Sequence, residues 1–196
     1  MESTYVMGLA LGAPAESTGL AIVEGTGTSD QVSGRAGNLV RYLHAFRPGT
    51  NYMDMIDQID GMLEKVKLSC LVVDQTAVGE RIVKMFSDEL SIPISPVIVG
   101  TQHSGHSSAS ADCVPKQTLV GVLIVGLEMD TLKFSKKLPL TPELTKELQN
   151  YRNRPTSAAS LNGDTWRENP ADHLVFATGL ACWKLQNQIN FEYWVP

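Results

Sequence analysis

The sequence has few cysteines, and their spacing argues against both a disulfide framework and a zinc site. Cys70, Cys113 and Cys182 are the only three in 196 residues, they lie far apart, and no two form a CxxC pair. An odd number of widely spaced thiols is typical of reduced, buried cysteines, and this pattern predicts a cytoplasmic protein.

Three further patterns are missing. No apolar run reaches the length of a membrane span, and the first residues lack the basic-then-apolar order of a signal peptide. No G-x-x-x-x-G-K-[ST] motif occurs, which excludes a P-loop motor. The formal net charge of −5 argues against a protein that coats nucleic acid non-specifically, although it leaves a local basic surface open.

The remaining composition is that of an ordinary globular protein. Hydrophobic residues make up 43% of the chain and charged residues 19%. A chain of this length fits one domain, and we expect residues 1–196 to form a single one.

The chain is organised around the stretch Leu71–Phe86. A short apolar run, which predicts a buried strand, ends on Asp74, and a turn of small residues leads into a segment with helical spacing. Ligands of open α/β sheets bind at the carboxyl ends of strands, so Asp74 occupies a functional position. The alternative is that Asp74 only caps the following helix.

The order of predicted elements indicates an α/β fold with a mixed sheet, an antiparallel meander followed by parallel strands, flanked by helices. The predicted strands are Tyr5–Leu11, Thr18–Glu24, Leu39–Phe46, Leu71–Asp74 and Ile94–Gly100, and a helix covers Tyr52–Lys65. The later elements are a deeply packed helix from Val114 with Pro115 in its first turn, an edge strand within Thr131–Lys137, a helix from Thr141 to about Tyr151, and a last helix from near Pro170.

The polar segment Thr101–Cys113 allows two interpretations. His103 and His106 could join Asp112 and Cys113 in a metal cluster, but the spacing matches no known zinc pattern. We expect a loop near the functional edge of the sheet. The segment 153–169 is predicted to be irregular or a weak hairpin, and the aromatic tail Phe191–Pro196 either packs on the domain or contacts a partner.

The order of several short motifs resembles the nuclease domain of phage terminase large subunits, a ribonuclease H-like fold. These motifs are the hairpin Gly8–Glu24, the Asp74 turn, Ala171–Trp183, and the shorter segments Val114–Lys116, Leu132–Phe134 and Leu144–Leu148. The resemblance covers nearly the whole chain. The chain lacks the motor ATPase that accompanies this domain in terminases.

The resemblance implies a metal-dependent chemistry. In the family, carboxylates from the first strand, the central strand and the last helix hold two divalent ions, Mg²⁺ or Mn²⁺, which activate a water and stabilise the leaving oxygen of a phosphodiester. Asp74 corresponds to the central-strand ligand. At the last helix the candidates are Asp172, as a metal ligand or a charge at the helix start, and His173, as a ligand, an acid/base or a solvated side chain.

The chain departs from the family pattern at the first strand, where Ala10 stands in place of an acid. The next acids along the chain, Glu16 and Glu24, are predicted to be surface residues. We expect Ala10, Asp74 and the Asp172–His173 pair to surround one cleft at the same edge of the sheet.

Three functions follow as hypotheses. The sequence favours a domain of phage or prophage origin with impaired metal-dependent endonuclease activity and a role in binding DNA or protein, with a separate packaging ATPase or another phage protein as a possible partner. The alternatives are an active two-metal DNA endonuclease with a displaced acid, and a small-molecule enzyme that uses Asp74 and the Thr101–Cys113 loop. DNA contacts could come from late basic residues if they share a face, namely Lys116, Lys133, Lys136, Lys137, Arg152 and Arg154.

Overall fold

The described part of the chain forms a seven-stranded mixed sheet with five helices. A computed structural model describes residues 3–26, 37–100, 111–152 and 172–192. The strands are β1 Thr4–Ala10, β2 Thr18–Thr26, β3 Gly37–Phe46, β4 Cys70–Asp74, β5 Ile94–Gly100, β6 Asp112–Pro115 and β7 Leu132–Phe134. The helices are α1 Tyr52–Leu63, α2 Glu80–Glu89, α3 Lys116–Glu128, α4 Thr141–Arg152 and α5 His173–Glu192.

The topology confirms the predicted ribonuclease H-like order. The strands lie in the sequence β6-β5-β4-β1-β2-β3-β7, with β1, β2 and β3 as an antiparallel meander. The strands β4, β5 and β6 then add in parallel on the other side of β1, and β7 pairs in parallel with β3. The central strand β4 is buried along its whole length, as its apolar run predicts.

Alternation along the strands divides the core into two layers. On β1, Val6 and Ala10 belong to the layer under α3, α4 and α5, whereas Met7 and Leu9 belong to the layer under α1 and α2. Successive strand residues point to opposite faces, so Asp74 shares a face with Val72 and Ala10. This face is the one that α5 covers.

Two glycines allow α5 to lie directly on the sheet. A methyl group at Gly8 would be 2.0 Å from the carbonyl oxygen of Ala177, and one at Gly19 would be 2.2 Å from that of His173. Both distances are far below van der Waals contact. The absence of side chains at Gly8 of β1 and Gly19 of β2 therefore fixes where α5 begins relative to the strand ends.

The structure corrects several predicted boundaries. Asp112 and Cys113, predicted to be in a loop, belong to β6, which was not predicted at all. Pro115 ends that strand and precedes α3, so it does not lie in the first helical turn. The expectation that α3 packs deeply is only partly right, because Val125 is 51% exposed. The last helix begins at His173.

Other predictions fall on residues that the structure does not describe. They concern His103 and His106, the segment 153–169, Pro170 and the end of the aromatic tail. In the ranges that are described, no helix is both long and apolar enough to cross a membrane.

Candidate functional site

Asp74 ends β4 at the carboxyl edge of the sheet and is held by the turn that follows it. Its Oδ1 accepts a hydrogen bond from the backbone N–H of Thr76, at 2.9 Å, and another from the Thr76 hydroxyl. The Thr76 Oγ1 accepts in turn from the Val99 N–H at 2.8 Å, which ties the turn to β5. Helix α2 begins only at Glu80, so these contacts order the turn and do not cap the helix.

Ala10 lies beside Asp74 in the sheet. The two residues are register partners in the parallel pairing of β1 with β4, and both face α5. On its other side Ala10 is in register with Gly19 of β2. The position at which the resemblance implies an acid therefore carries a methyl group.

The start of α5 completes this edge of the sheet. The His173 carbonyl packs on Gly19, two strands from Asp74, which corresponds to about 10 Å at the usual strand spacing. Asp172 is only 4% exposed, and its carbonyl oxygen accepts the first helical hydrogen bond, from the Phe176 N–H at 3.1 Å. The structure thus brings Asp74, Ala10 and the Asp172–His173 pair to the same edge and face.

Glu147 of α4 is a neighbour of this pair that sequence reasoning missed. Its Oε2 accepts a hydrogen bond from the Val175 N–H at 2.9 Å, and its Oε1 lies 3.6 Å from the His173 Nδ1. The side chain is 6% exposed. One signal was available, because Glu147 shares the helical spacing of Leu144 and Leu148 and so had to lie on the buried stripe of α4.

Burial makes these acids hard to ionise. It raises the pKa of Asp74 to about 6, although hydrogen bonds from Thr76 and Val99 act in the opposite direction. It also raises the pKa of Glu147 to about 8, and the charge of Asp172 adds to the effect against the bonds from Val175 and Leu174. Near neutral pH, therefore, Glu147 mostly carries a proton.

Glu16 and Glu24, the next two acids after Ala10 in the chain, do not replace the missing carboxylate. Glu16 lies in the turn after β1, where its Oε2 accepts from the Ala13 N–H at 3.1 Å. Glu24 pairs with Tyr5 at the opposite end of β1, five residues or about 17 Å from Ala10. The prediction that Glu24 is a surface residue is wrong, since it is 5% exposed and paired with Arg41.

The late lysines do not share one surface. Lys116 follows β6 at one edge of the sheet, and its Nζ lies 4.9 Å from the centre of the Phe176 ring, in the first turn of α5. Lys133 lies in β7 at the opposite edge, with its Nζ 3.4 Å from Asp130. Only Lys116 of this pair is therefore close to the candidate site.

The acids of the described ranges do not fit the metal pair that the resemblance implies. No three His, Cys, Asp or Glu side chains in these ranges are grouped so that they could hold an ion. Asp74 and the α5 start are separated by Ala10, which has no ligand atom. The resemblance implies a carboxylate at that position to complete the ligand set.

Comparisons with solved structures identify the fold. The nuclease domain of the large terminase subunit gp2 of bacterial virus Sf6 superposes with a TM-score of 0.64 at 12% identity, covering 91% of this chain and 87% of the other. The large terminase nuclease of thermophilic phage G20c gives 0.60 at 17% identity, covering 92% and 81%. The chain has the fold of phage terminase nuclease domains.

The fold is shared although the sequence is not. No model of a protein family matches the sequence, and no curated protein does. The two phage domains have also been solved with ions: a mutant of the Sf6 domain with manganese and the G20c nuclease with zinc. In this terminase-like fold, the described part of the chain keeps the sheet edge and the start of the last helix but has Ala10 between them.

Proposed function

We propose that this chain is a terminase-nuclease-like domain of phage or prophage origin whose metal-dependent endonuclease activity is impaired. The observation that carries the proposal is the register of Ala10 with Asp74 on the face under α5. The carboxylate that the resemblance implies there is missing, and neither Glu16 nor Glu24 reaches the position. Asp74 and Asp172 remain as candidate ligands for one weakly held Mg²⁺ or Mn²⁺, with His173 beside them.

The domain then acts by binding, with DNA as the partner that the nuclease fold favours. Lys116 supports a contact to phosphate, since its ammonium group is held over Phe176 within one turn of Asp172. The given sequence has no P-loop, and a packaging ATPase or another phage protein is a further candidate partner. The small-molecule hypothesis has no support in the described residues, and the loop it needs lies mostly outside them.

Restoring the acid tests the proposal directly. The unmodified protein is expected to bind Mn²⁺ weakly and to leave supercoiled plasmid DNA almost uncut. Ala10→Asp should tighten Mn²⁺ binding in calorimetry and produce nicking, because the new carboxylate lies beside Asp74. Ala10→Asn is the matched control, with the same shape and no charge, and should give neither. Adding Asp74→Asn to Ala10→Asp should abolish the gain.

Two results would contradict impairment. Robust Mg²⁺-dependent cleavage by the unmodified protein, lost in Asp74→Asn, would mean that another acid completes the site. Ala10→Asp with unchanged Mn²⁺ affinity would show that the vacant position does not limit metal binding.

For the binding role, Lys116→Gln should weaken DNA binding at low salt more than Lys133→Gln does.

A further inference from the structure

A groove lies on the face of the sheet opposite the candidate site, at the other end of β1. It runs between the sheet and the C-terminal half of α1 and has a volume of about 460 Å³. We refer to it as the Tyr42 groove. The residues used below are Tyr5, Arg41 and Tyr42 from the sheet, and Asp57, Gly61 and Lys65 from the helical side.

A bulge in β3 turns a cation towards this groove. Ile22 pairs with Tyr42 and Val23 pairs with Val40, so Arg41 is the extra residue on β3. Bulges redirect side chains, and here Arg41 reaches Glu24, which lies on the same face as Ile22. Arg41 and Tyr42 consequently line the same groove although they are neighbours in a strand.

A buried carboxylate holds two of the lining residues in place. The Arg41 Nε donates to the Glu24 Oε2 at 2.5 Å, and the side chain of Arg41 is still 52% exposed. Burial alone would raise the pKa of Glu24, but hydrogen bonds from Ser3, Arg41 and Tyr5 lower it overall. Glu24 is therefore an ionised anchor that orients the Tyr5 ring and the Arg41 guanidinium, whose terminal amino groups supply further donors.

The wall formed by Tyr42 is a fixed aromatic surface. Its ring is nearly parallel to that of His44, with an interplanar angle of 10° and centroids 6.3 Å apart, and Tyr42 is 37% exposed. Burial lowers the pKa of His44, so this neighbour is a neutral ring at physiological pH. Tyrosine surfaces of this kind stack planar heteroaromatic rings.

The charges of the groove argue against a nucleic-acid polymer as its ligand. Arg41 and Lys65 are balanced by Glu24 and Asp57, so the groove has no excess of positive charge for tracking a nucleic-acid backbone. Arg41 and Lys65 are the two cations of the lining, and they are the candidates to bind a phosphate group. The volume also lies within the range of about 300–1,000 Å³ that is usual for small-molecule sites.

We propose that the Tyr42 groove binds a free mononucleotide, with the base stacked on Tyr42 and the phosphate held by Arg41 and Lys65. The site is separate from the candidate nuclease site and does not depend on the proposed function. Gly61 makes the groove easy to close, because a side chain placed there meets nothing within 4 Å and would extend into open space.

The test uses adenosine 5′-monophosphate with the full chain, followed by backbone amide NMR. We expect shifts confined to the residues around the groove, and a dissociation constant about fivefold lower for the nucleotide than for adenosine. Tyr42→Ala should raise the constant about tenfold, the usual worth of one stacked base. Lys65→Gln should raise it a few-fold, whereas Lys67→Gln, exposed and outside the lining, should not.

Gly61→Leu should abolish binding without loss of fold, since it replaces a helical glycine by a good helix former. Gly121→Leu in α3, where a methyl group also meets nothing within 4 Å, is the matched control and should bind normally. The proposal fails if millimolar nucleotide leaves the groove resonances unchanged, or if Gly61→Leu still binds. It also fails if inorganic phosphate binds as well as the nucleotide, or if only single-stranded oligonucleotides bind.

Discussion

Both ends of the sheet contain buried carboxylates, but their pKa values are shifted in opposite directions. At the amino end of β1, Glu24 pairs with Arg41 and its pKa is lowered. At the carboxyl end, desolvation outweighs the neutral hydrogen-bond donors of Asp74 and Glu147, and their pKa values are raised. Burial alone therefore does not decide ionisation. Hydrogen bonds from Ser3, Arg41 and Tyr5 outweigh it at Glu24, and the candidate nuclease site is the region where burial prevails.

The same two regions differ in packing. Gly19, beside Ala10, has the backbone of α5 pressed against it, whereas Gly61 faces open space in the Tyr42 groove. At the site edge, the backbone of α5 therefore packs directly on the strand. The groove, by contrast, is an open volume lined by side chains. Four substitutions test this comparison.

The largest effect is expected for Gly19→Ala. Its methyl group would lie 2.2 Å from the His173 carbonyl oxygen, so α5 must move away from the strand ends. We expect a loss of about 3 kcal/mol in the free energy of unfolding, measured with urea. Gly25→Ala on the same strand is the control, because its methyl group meets the flexible end of Leu185. Equal losses in the two variants would contradict close packing at the site edge.

Arg41→Leu should raise the pKa of Glu24, as burial does for Asp74 and Glu147. Removing the cation leaves a buried carboxylate with neutral donors only, at a cost of about 2 kcal/mol. The stability that Glu24 contributes above its unfolded pKa should disappear, and the variant should instead lose stability as the pH rises. Lys133→Leu breaks the exposed pair with Asp130 and should cost only about 0.3 kcal/mol. Similar costs for both would contradict the role of burial.

Glu147→Gln should remove a pH dependence that the natural protein shows. The pKa of Glu147 is raised from 4.5 to about 8, so the native state holds a proton that the unfolded state releases, and stability falls as the pH rises through this window. Between pH 6 and 7.5 we expect a slope of about 1.4 kcal/mol per pH unit, absent in the variant. Asp74→Asn should flatten the curve only below about pH 6. An unchanged slope in Glu147→Gln would show that Glu147 is ionised at neutral pH.

The smallest effect is expected for Gly61→Ala. The methyl group enters open space and alanine favours the helix, so the protein should gain about 0.7 kcal/mol. Gly121→Ala should give a similar gain. A loss at Gly61 comparable with that of Gly19→Ala would mean that the groove is closed.

The elements that were predicted correctly are those with a strong local pattern. The apolar run before Asp74 became the buried strand β4, and the meander from Tyr5 to Phe46 formed as expected. The helix predicted from Tyr52 to Lys65 also formed, as α1, and it ends at Leu63. By contrast, β6 was missed. It is only four residues long and follows a polar segment, and it forms a strand because it can pair with the edge of β5.

The sequence by itself determined the order of strands and helices except for β6, the position of Asp74 at a strand end, and the absence of an acid at Ala10, because hydrophobic periodicity and residue identity are local properties. Only the tertiary structure decided that Glu147 contacts α5, that Glu24 is buried beside Arg41, and that the start of α5 packs on Gly19. These outcomes depend on residues far apart in the chain, which pairing and packing bring together. The pKa values of the acids follow from that packing, so the sequence could not predict them.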